Sequence, residues 1–230
     1  MKEILENSLF FGAALSILTY ILGTWIKKKC NFFLFNPLLI SITITIVVLL
    51  LTGIDYAHYN NGAKYLGYLL TPATVALAIP LYEQLQVLRN NLAAILIGIA
   101  SGVFTSAITI LGMSLLFGLQ HIEYVTLLPK SITTAIGIGL SQELGGYVPI
   151  SVAAIMMTGL FGNIAGGVLC RLLGIKHPVA KGIAIGTATH VMGTAKAMEL
   201  GKTEGAMSSL SVAVAGCMTV GAAILFKGFI

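Results

Sequence analysis

From Leu92 to Leu119 the chain reads LAAILIGIASGVFTSAITILGMSLLFGL, an unbroken run without a single charge. At about 1.5 Å of rise per residue, roughly 20 such residues carry a helix across the ~30 Å hydrocarbon core of a bilayer. The stretch has company. Apolar runs also cover residues 8–26, 37–53, 63–85, 125–144, 149–173, 179–200 and 205–230. Composition agrees: 57% of the 230 residues are hydrophobic, 9% are charged, and the mean hydropathy is +0.96. Soluble chains carry about 25% charged residues, so too few polar groups are present to coat a water-facing surface. The sequence therefore predicts an all-α polytopic membrane protein with about seven or eight hydrophobic segments. Residues 1–230 read as a single integral membrane domain.

The net charge of +5 comes from 13 Lys and Arg against eight acids. The basic residues cluster beside apolar runs, as Lys27–Lys29 and as Arg171, Lys176 and Lys181, which is how orientation is set in a membrane. Nucleic acid is not an expected partner; the lipid bilayer is. Run 8–26 follows Lys2 and Glu3, precedes a basic cluster and lacks a small-residue cleavage site, so it reads as a retained first span. Cys30, Cys170 and Cys217 are far apart and are expected to be unpaired.

Both basic clusters should face the cytoplasm, yet an odd number of segments separates them. Either one segment enters and leaves on the same face, or the sequence hides an extra crossing. Run 125–144 is the candidate for the same-face segment, because Gly137, Gly139, Gly145, Gly146 and Pro149 break it or its end. An internal repeat, possibly inverted, is also expected. Residues 70–81 align with 129–140, and 132–145 with 188–201, bringing Glu143-Leu144-Gly145 onto Glu199-Leu200-Gly201. The repeat units would lie around 63–119 and 125–200.

Four polar groupings stand where lipid should be. In Pro129-Lys130-Ser131-Ile132-Thr133-Thr134, a charge sits inside an apolar run, at about 2.5–3.5 kcal/mol on insertion scales. One reading has Pro129 break the helix and a half-helix start near Ser131. Its free N–H groups and Lys130 then converge on an anion. The other has Lys130 reach out to the headgroups. In Gly186-Thr187-Ala188-Thr189-His190-Val191-Met192-Gly193-Thr194, the spacing predicts one helix face carrying Thr187, His190 and Thr194. His190 is then a ligand or proton carrier, or a histidine bonded to a neighbouring helix. Thr71-Pro72-Ala73-Thr74 with Pro80 either frees backbone carbonyls to line a cavity or only kinks a helix. Glu199 and Glu204, near Lys202, either relay protons or coordinate a cation, or belong to a solvated loop.

Gly98/Gly102, Gly162/Gly166 and Gly182/Gly186 allow close helix contact within or between subunits, and a homo-oligomer, most simply a dimer, is expected. The sequence has no metal-ligand spacing, P-loop, nucleophile elbow or dinucleotide fingerprint. No catalytic residue, metal or cofactor is expected, and the chain is not read as an enzyme. His58, His121 and His177 are expected in loops.

Four stretches carry a resemblance. These are Leu70 to Tyr82 (LTPATVALAIPLY), Leu128 to Thr134 (LPKSITT), Lys181 to His190 (KGIAIGTATH) and Glu204 to Leu210 (EGAMSSL). Together with Phe32–Pro37 they resemble the LrgB/CidB family over nearly the whole chain. The resemblance implies a multi-pass protein of the bacterial plasma (inner) membrane. Members are described as holin-like or antiholin-like modulators of murein hydrolase activity and autolysis. They are similar to the C-terminal part of the plastid glycolate/glycerate transporter, and some are linked to pyruvate uptake. A small four-span partner of the LrgA/CidA type is implied. The chain departs from some relatives, which have glutamate where it has Thr71 and glutamine where it has Lys130. On this resemblance the expected substrate is a small carboxylate such as pyruvate, lactate, glycolate or glycerate. The expected substrate-binding residues are Thr71, Pro72, Thr74, Lys130, Ser131, Thr133, Thr134, Thr187, Thr189, His190 and Thr194. The candidates for proton coupling are His190, Glu199 and Glu204.

Overall fold

The computed structural model describes residues 8, 10–29, 36–69, 72, 75–76 and 78–230, all of them helical or in short connections. Thr71, Thr74, Cys30 and most of the Phe32–Pro37 motif lie outside the described residues. The chain divides into two compact units, Met1–Ala76 and Leu77–Ile230.

The first unit holds α1 (Phe11–Lys29), α2 (Pro37–Thr52) and α3 (Tyr56–Gly67). The sequence marks the ends of α2 plainly. Asn36 Oδ1 accepts from the Leu38 N–H at 2.9 Å, Pro37 opens the helix, and Gly53 closes it at φ 61°. Lys27, Lys28 and Lys29 occupy the last turn of α1, where cations suit the dipole. Buried hydroxyls tie α1 to α2, with Thr19 bonding Ser41 at 2.9 Å and Thr45 at 3.2 Å. The outward faces expose Leu18, Leu50 and Leu51. Run 63–85, expected as one segment, is divided: α3 ends at Gly67, residues 68 and 69 form a turn, and a separate helix of the second unit starts at Ala78.

The second unit contains α4 (Ala78–Glu83), α5 (Leu85–Asn90), α6 (Leu92–Phe117), α7 (His121–Leu127), a 3-10 turn (Leu128–Ser131), α8 (Thr134–Glu143), α9 (Val148–Leu172), α10 (Pro178–Leu200) and α11 (Lys202–Phe226). Among the described residues, α6, α9 and α11 are long and apolar enough to cross a bilayer. The remaining two long segments do not run straight.

Residues 121–143 fold back on themselves. Gly137 of α8 faces Pro129, at 3.7 Å from where a side chain would begin. Further out, the Tyr147 N–H donates to Thr126 Oγ1 at 2.8 Å. Ser151 Oγ donates to the Thr126 carbonyl at 2.7 Å and bonds Ser141 at 2.7 Å. Residues 126 and 129 thus oppose 147 and 137. The two short helices form an antiparallel hairpin with its tip near Lys130–Thr133.

The α10 segment does the same, and here the structure corrects the expectation of one continuous helix. His190 sits at φ 47°, ψ −148°, outside helical geometry. On the first arm, 178–189, Gly182 packs on Glu204 and Gly186 on Ser208. On the second arm, 191–200, Met198 packs on Gly205 and Thr194 bonds Ser208 at 2.8 Å. The same two levels of α11 meet both arms, so the arms are antiparallel and His190 is the turn. Thr187 and Thr194 lie on opposite arms, not on one face. Each arm is about 15–18 Å long, roughly half a bilayer core.

The hairpins enter from opposite ends. Gly98 and Gly102 of α6 face Ile183 and Thr187 in rising order, so the first arm of α10 runs alongside α6 from the Asn91 end. The first hairpin instead begins just after the far end of α6, beside the end of α11, where Tyr124 Oη donates to the Phe226 carbonyl at 2.9 Å. The stretch 199–209 is not a loop, since Gly201 alone links α10 to α11.

Glycine makes the packing possible. A methyl group at Gly186 would fall 2.8 Å from Ser208 Cα, which is backbone and cannot move aside. Gly139, also helical, has open space around it. We expect Gly186→Ala to lower stability by about 1–3 kcal/mol through overpacking, and Gly139→Ala to leave it unchanged or slightly higher. Thermal unfolding of the purified variants in detergent reads both.

Candidate functional site

The two hairpin tips and the middle of α6 border a cavity of about 800 Å³, within the range of small-molecule sites. The 3-10 turn contributes Lys130 and Ser131. The first arm of α10 contributes Thr187 and Ala188 near its tip, and His177 at its start. From α6 come Ser101, Thr105, Ser106 and Thr109, with Gly98 and Gly102 leaving room between them. Asn91 stands at the His177 end, and among the described residues no carboxylate is in the lining.

Lys130 is half-buried, and its Nζ donates to Ser131 Oγ at 2.9 Å. Among the described residues no carboxylate pairs with it. Ser131 Oγ in turn lies 3.4 Å from Ser106 Oγ. Thr187 is buried, and its hydroxyl has no partner. The site thus offers a cation and several hydroxyls to a guest, and no competing negative charge.

The N-terminus of α8 opens at the same tip. Thr133 is its N-cap but makes no side-chain cap bond, and Thr134 begins the helix. Both are half-buried and border the turn rather than the cavity. The second arm of α10 likewise starts at its tip, so both hairpins present a helix N-terminus, the positive end of the dipole, at mid-height.

The other expected residues are engaged elsewhere. His190 Nε2 lies 3.0 Å from the Ile155 carbonyl of α9, and Gly159 leaves space for the ring. It does not line the cavity. Thr189 donates to the Ile185 carbonyl at 2.6 Å and is packed on Gly162. Thr194 bonds the His190 carbonyl at 3.0 Å as well as Ser208. Glu199 is exposed and pairs with Lys196 at 2.7 Å. Glu204 is buried in the first turn of α11, curled over Gly201, where a carboxylate suits the dipole. Pro72 is exposed in the first unit.

With this geometry in hand, the known relatives can be set beside it. The LrgB-like family profile matches residues 16–228. The chain belongs to the LrgB-like family. It is 36% identical over 222 residues to the antiholin-like protein LrgB of Bacillus cereus (strain B4264), covering 96% of each chain. The antiholin-like protein LrgB of Bacillus anthracis (strain A0248) matches to the same extent. No solved structure matches the chain. Family and helices together make this a multi-pass protein of the bacterial plasma membrane.

The α6 wall of this LrgB-like chain went unread in the sequence. Ser101, Thr105 and Thr109 recur every four residues beside Gly98 and Gly102, which is a polar stripe on one helix face. His177, expected in a loop, caps α10 at the cavity end, while His58 lies within α3 and His121 starts α7.

The His190 backbone lies in a region that only glycine adopts without strain. The imidazole contact to Ile155 offsets that strain. We therefore expect His190→Ala, which keeps the strain and loses the contact, to be the less stable of two variants. His190→Gly loses the contact but relaxes the backbone, and should melt higher by the equivalent of about 1 kcal/mol. The order of melting temperatures in detergent checks this.

Proposed function

We propose that this chain carries a small monocarboxylate of the pyruvate, lactate, glycolate or glycerate class across the plasma membrane by alternating access. One observation carries the reading: an ammonium with no carboxylate partner among the described residues, at a hairpin tip, facing a cavity lined by hydroxyls. Such a charge is costly in a membrane unless a ligand or a relay makes use of it. Transporters commonly set half-helix N-termini against anionic groups near the midplane, and both hairpins suit that arrangement.

In this reading 121–143 and 178–200 are re-entrant hairpins inserted from opposite faces. Each is followed by a full crossing, α9 or α11, as an inverted structural repeat. The alignment of 132–145 with 188–201 supports this, because each stretch is the returning arm of its hairpin. The seven or eight segments then include fewer full crossings. Symport with a proton is the coupling we favour. Glu204 is the better candidate acid, since Glu199 is exposed and ion-paired. His190 would act on the hairpin rather than on the substrate. Neither this reading nor the next has the chain make or break a covalent bond. A homodimer and a four-span LrgA/CidA-type partner complete the proposal.

The second reading is that of an antiholin-like protein restraining or modulating membrane lesions and murein hydrolase activity. The relatives' names favour it, and on the comparisons alone it stands ahead of the carrier. The geometry favours the carrier, because a lesion-forming or lesion-restraining surface has no use for a half-buried cation set beside a row of hydroxyls. The two are compatible if the transported acid drives the autolytic effect.

Liposomes separate them. With protein reconstituted alone and with a four-span partner, labelled pyruvate uptake is measured beside release of a larger neutral dye. The carrier gives saturable uptake that Lys130→Ala reduces at least tenfold, while the dye stays inside. Loss of both solutes together supports the lesion and refutes the carrier.

A further inference from the structure

Beside the large cavity lies a second void of about 10 Å³, enclosed by α6, the 3-10 turn, the first arm of α10 and α11. It holds about one water-sized guest. Four hydroxyl residues border it: Ser106, Ser131, Thr187 and Thr219. The first three also line the large cavity, so the void is a niche in its wall.

Counting hydrogens shows what the niche lacks. Lys130 donates to Ser131 Oγ at 2.9 Å, leaving the Ser131 proton for another acceptor. Ser106 Oγ, at 3.4 Å, is at the limit of bonding distance. Thr187 turns its methyl group toward Gly102, 2.7 Å from where a side chain there would begin. Its hydroxyl is more than nine-tenths buried and unbonded. Such a group is rarely left without a partner in a folded protein. Thr219 brings a further hydroxyl from α11. Among the described residues no Asp or Glu borders either space, and Lys130 stands one residue from Ser131, so a bound cation would be repelled. The niche has donors to spare and wants an acceptor the size of one oxygen.

We infer that the niche is a subsite for one oxygen of the substrate carboxylate, held by Thr187, Ser131, Ser106 and Thr219, while the other oxygen stays in the cavity near Lys130. This rests on the carrier reading and deepens it. A niche of this size admits a single oxygen and leaves the rest of the molecule in the wider cavity. It also ties α11 and the first hairpin to the same ligand, so binding bridges elements that enter from opposite ends.

The test is equilibrium binding of radiolabelled pyruvate to the purified full chain in detergent. Thr187→Val removes the hydroxyl at constant shape, Thr219→Val does the same from α11, and Thr187→Ser restores the hydroxyl. Thr158→Val, whose hydroxyl bonds only its own helix at Ala154, is the control, and elution volume monitors folding. The niche predicts about tenfold weaker binding for Thr187→Val, weaker binding for Thr219→Val, recovery within twofold for Thr187→Ser, and no change for Thr158→Val. Wild-type affinity in both valine variants, with binding lost in Lys130→Gln, overturns the niche and leaves the carrier. No binding by the wild-type chain overturns both.

Discussion

The second unit depends on how closely its neighbours approach the backbone of the α10 hairpin. Helices in lipid gain no hydrophobic energy by associating, because lipid tails are as apolar as leucine. What remains is dispersion and hydrogen bonding at short range, and small residues make both available. Gly182 and Gly186 let the first arm lie against the backbone of α11. Gly159, Gly162 and Gly166 give α9 the same access to His190, Thr189 and Ile185, and Gly102 does so for α6 at Thr187. A ten- to twelve-residue arm has marginal helical stability alone, so three glycine seams hold a segment that would not persist by itself.

That packing also explains how interrupted backbone survives at this depth. Non-helical backbone inside a membrane is tolerated only where protein or a wet cavity covers it. At the α10 turn, Thr194 donates to the His190 carbonyl and Asn163 Nδ2 to the Met192 carbonyl at 2.6 Å. At the base of the other hairpin, Thr126 bridges the Tyr147 N–H and its own helix. These hydroxyls and amides are committed to structure. The Thr187 hydroxyl has no partner among the described residues and Lys130 bonds the neighbouring Ser131 hydroxyl, which sets these two tip residues apart from their neighbours of the same chemical type.

The long helices were legible because length and composition decide them: 92–119 and 149–173 match α6 and α9 within about two residues at each end, the usual margin for helix boundaries. The α10 hairpin was not legible. A folded-back pair of short arms has the same apolar content and helical period as one crossing, and the turn carries histidine rather than glycine or proline. Run 125–144 differed only because Pro129 and its glycines advertise a break. In the site, Lys130, Ser131 and Thr187 were visible as polar groups in oil. Thr189, Thr194 and His190 have the same signature, and only hydrogen-bond partners tell them apart. The α6 stripe was hidden because serine and threonine in membrane helices ordinarily bond their own backbone, as Ser101 does to Gly98 and Thr109 to Thr105.

The choice of histidine at a position that favours glycine follows from the same constraint. Glycine would relax the turn, yet it would leave the Ile155 carbonyl without the imidazole and a hole beside Gly159. The ring joins the turn to α9, the crossing that separates the two hairpins in the chain. Ile155 reaches both: its carbonyl meets His190, and its side chain packs on Gly137 of the first hairpin. One residue of α9 therefore registers two tips inserted from opposite ends. Any motion that shifts one tip relative to α9 must break that contact or carry the other tip along. The strained backbone of His190 is thus held in place by a contact that also fixes the register of the first hairpin.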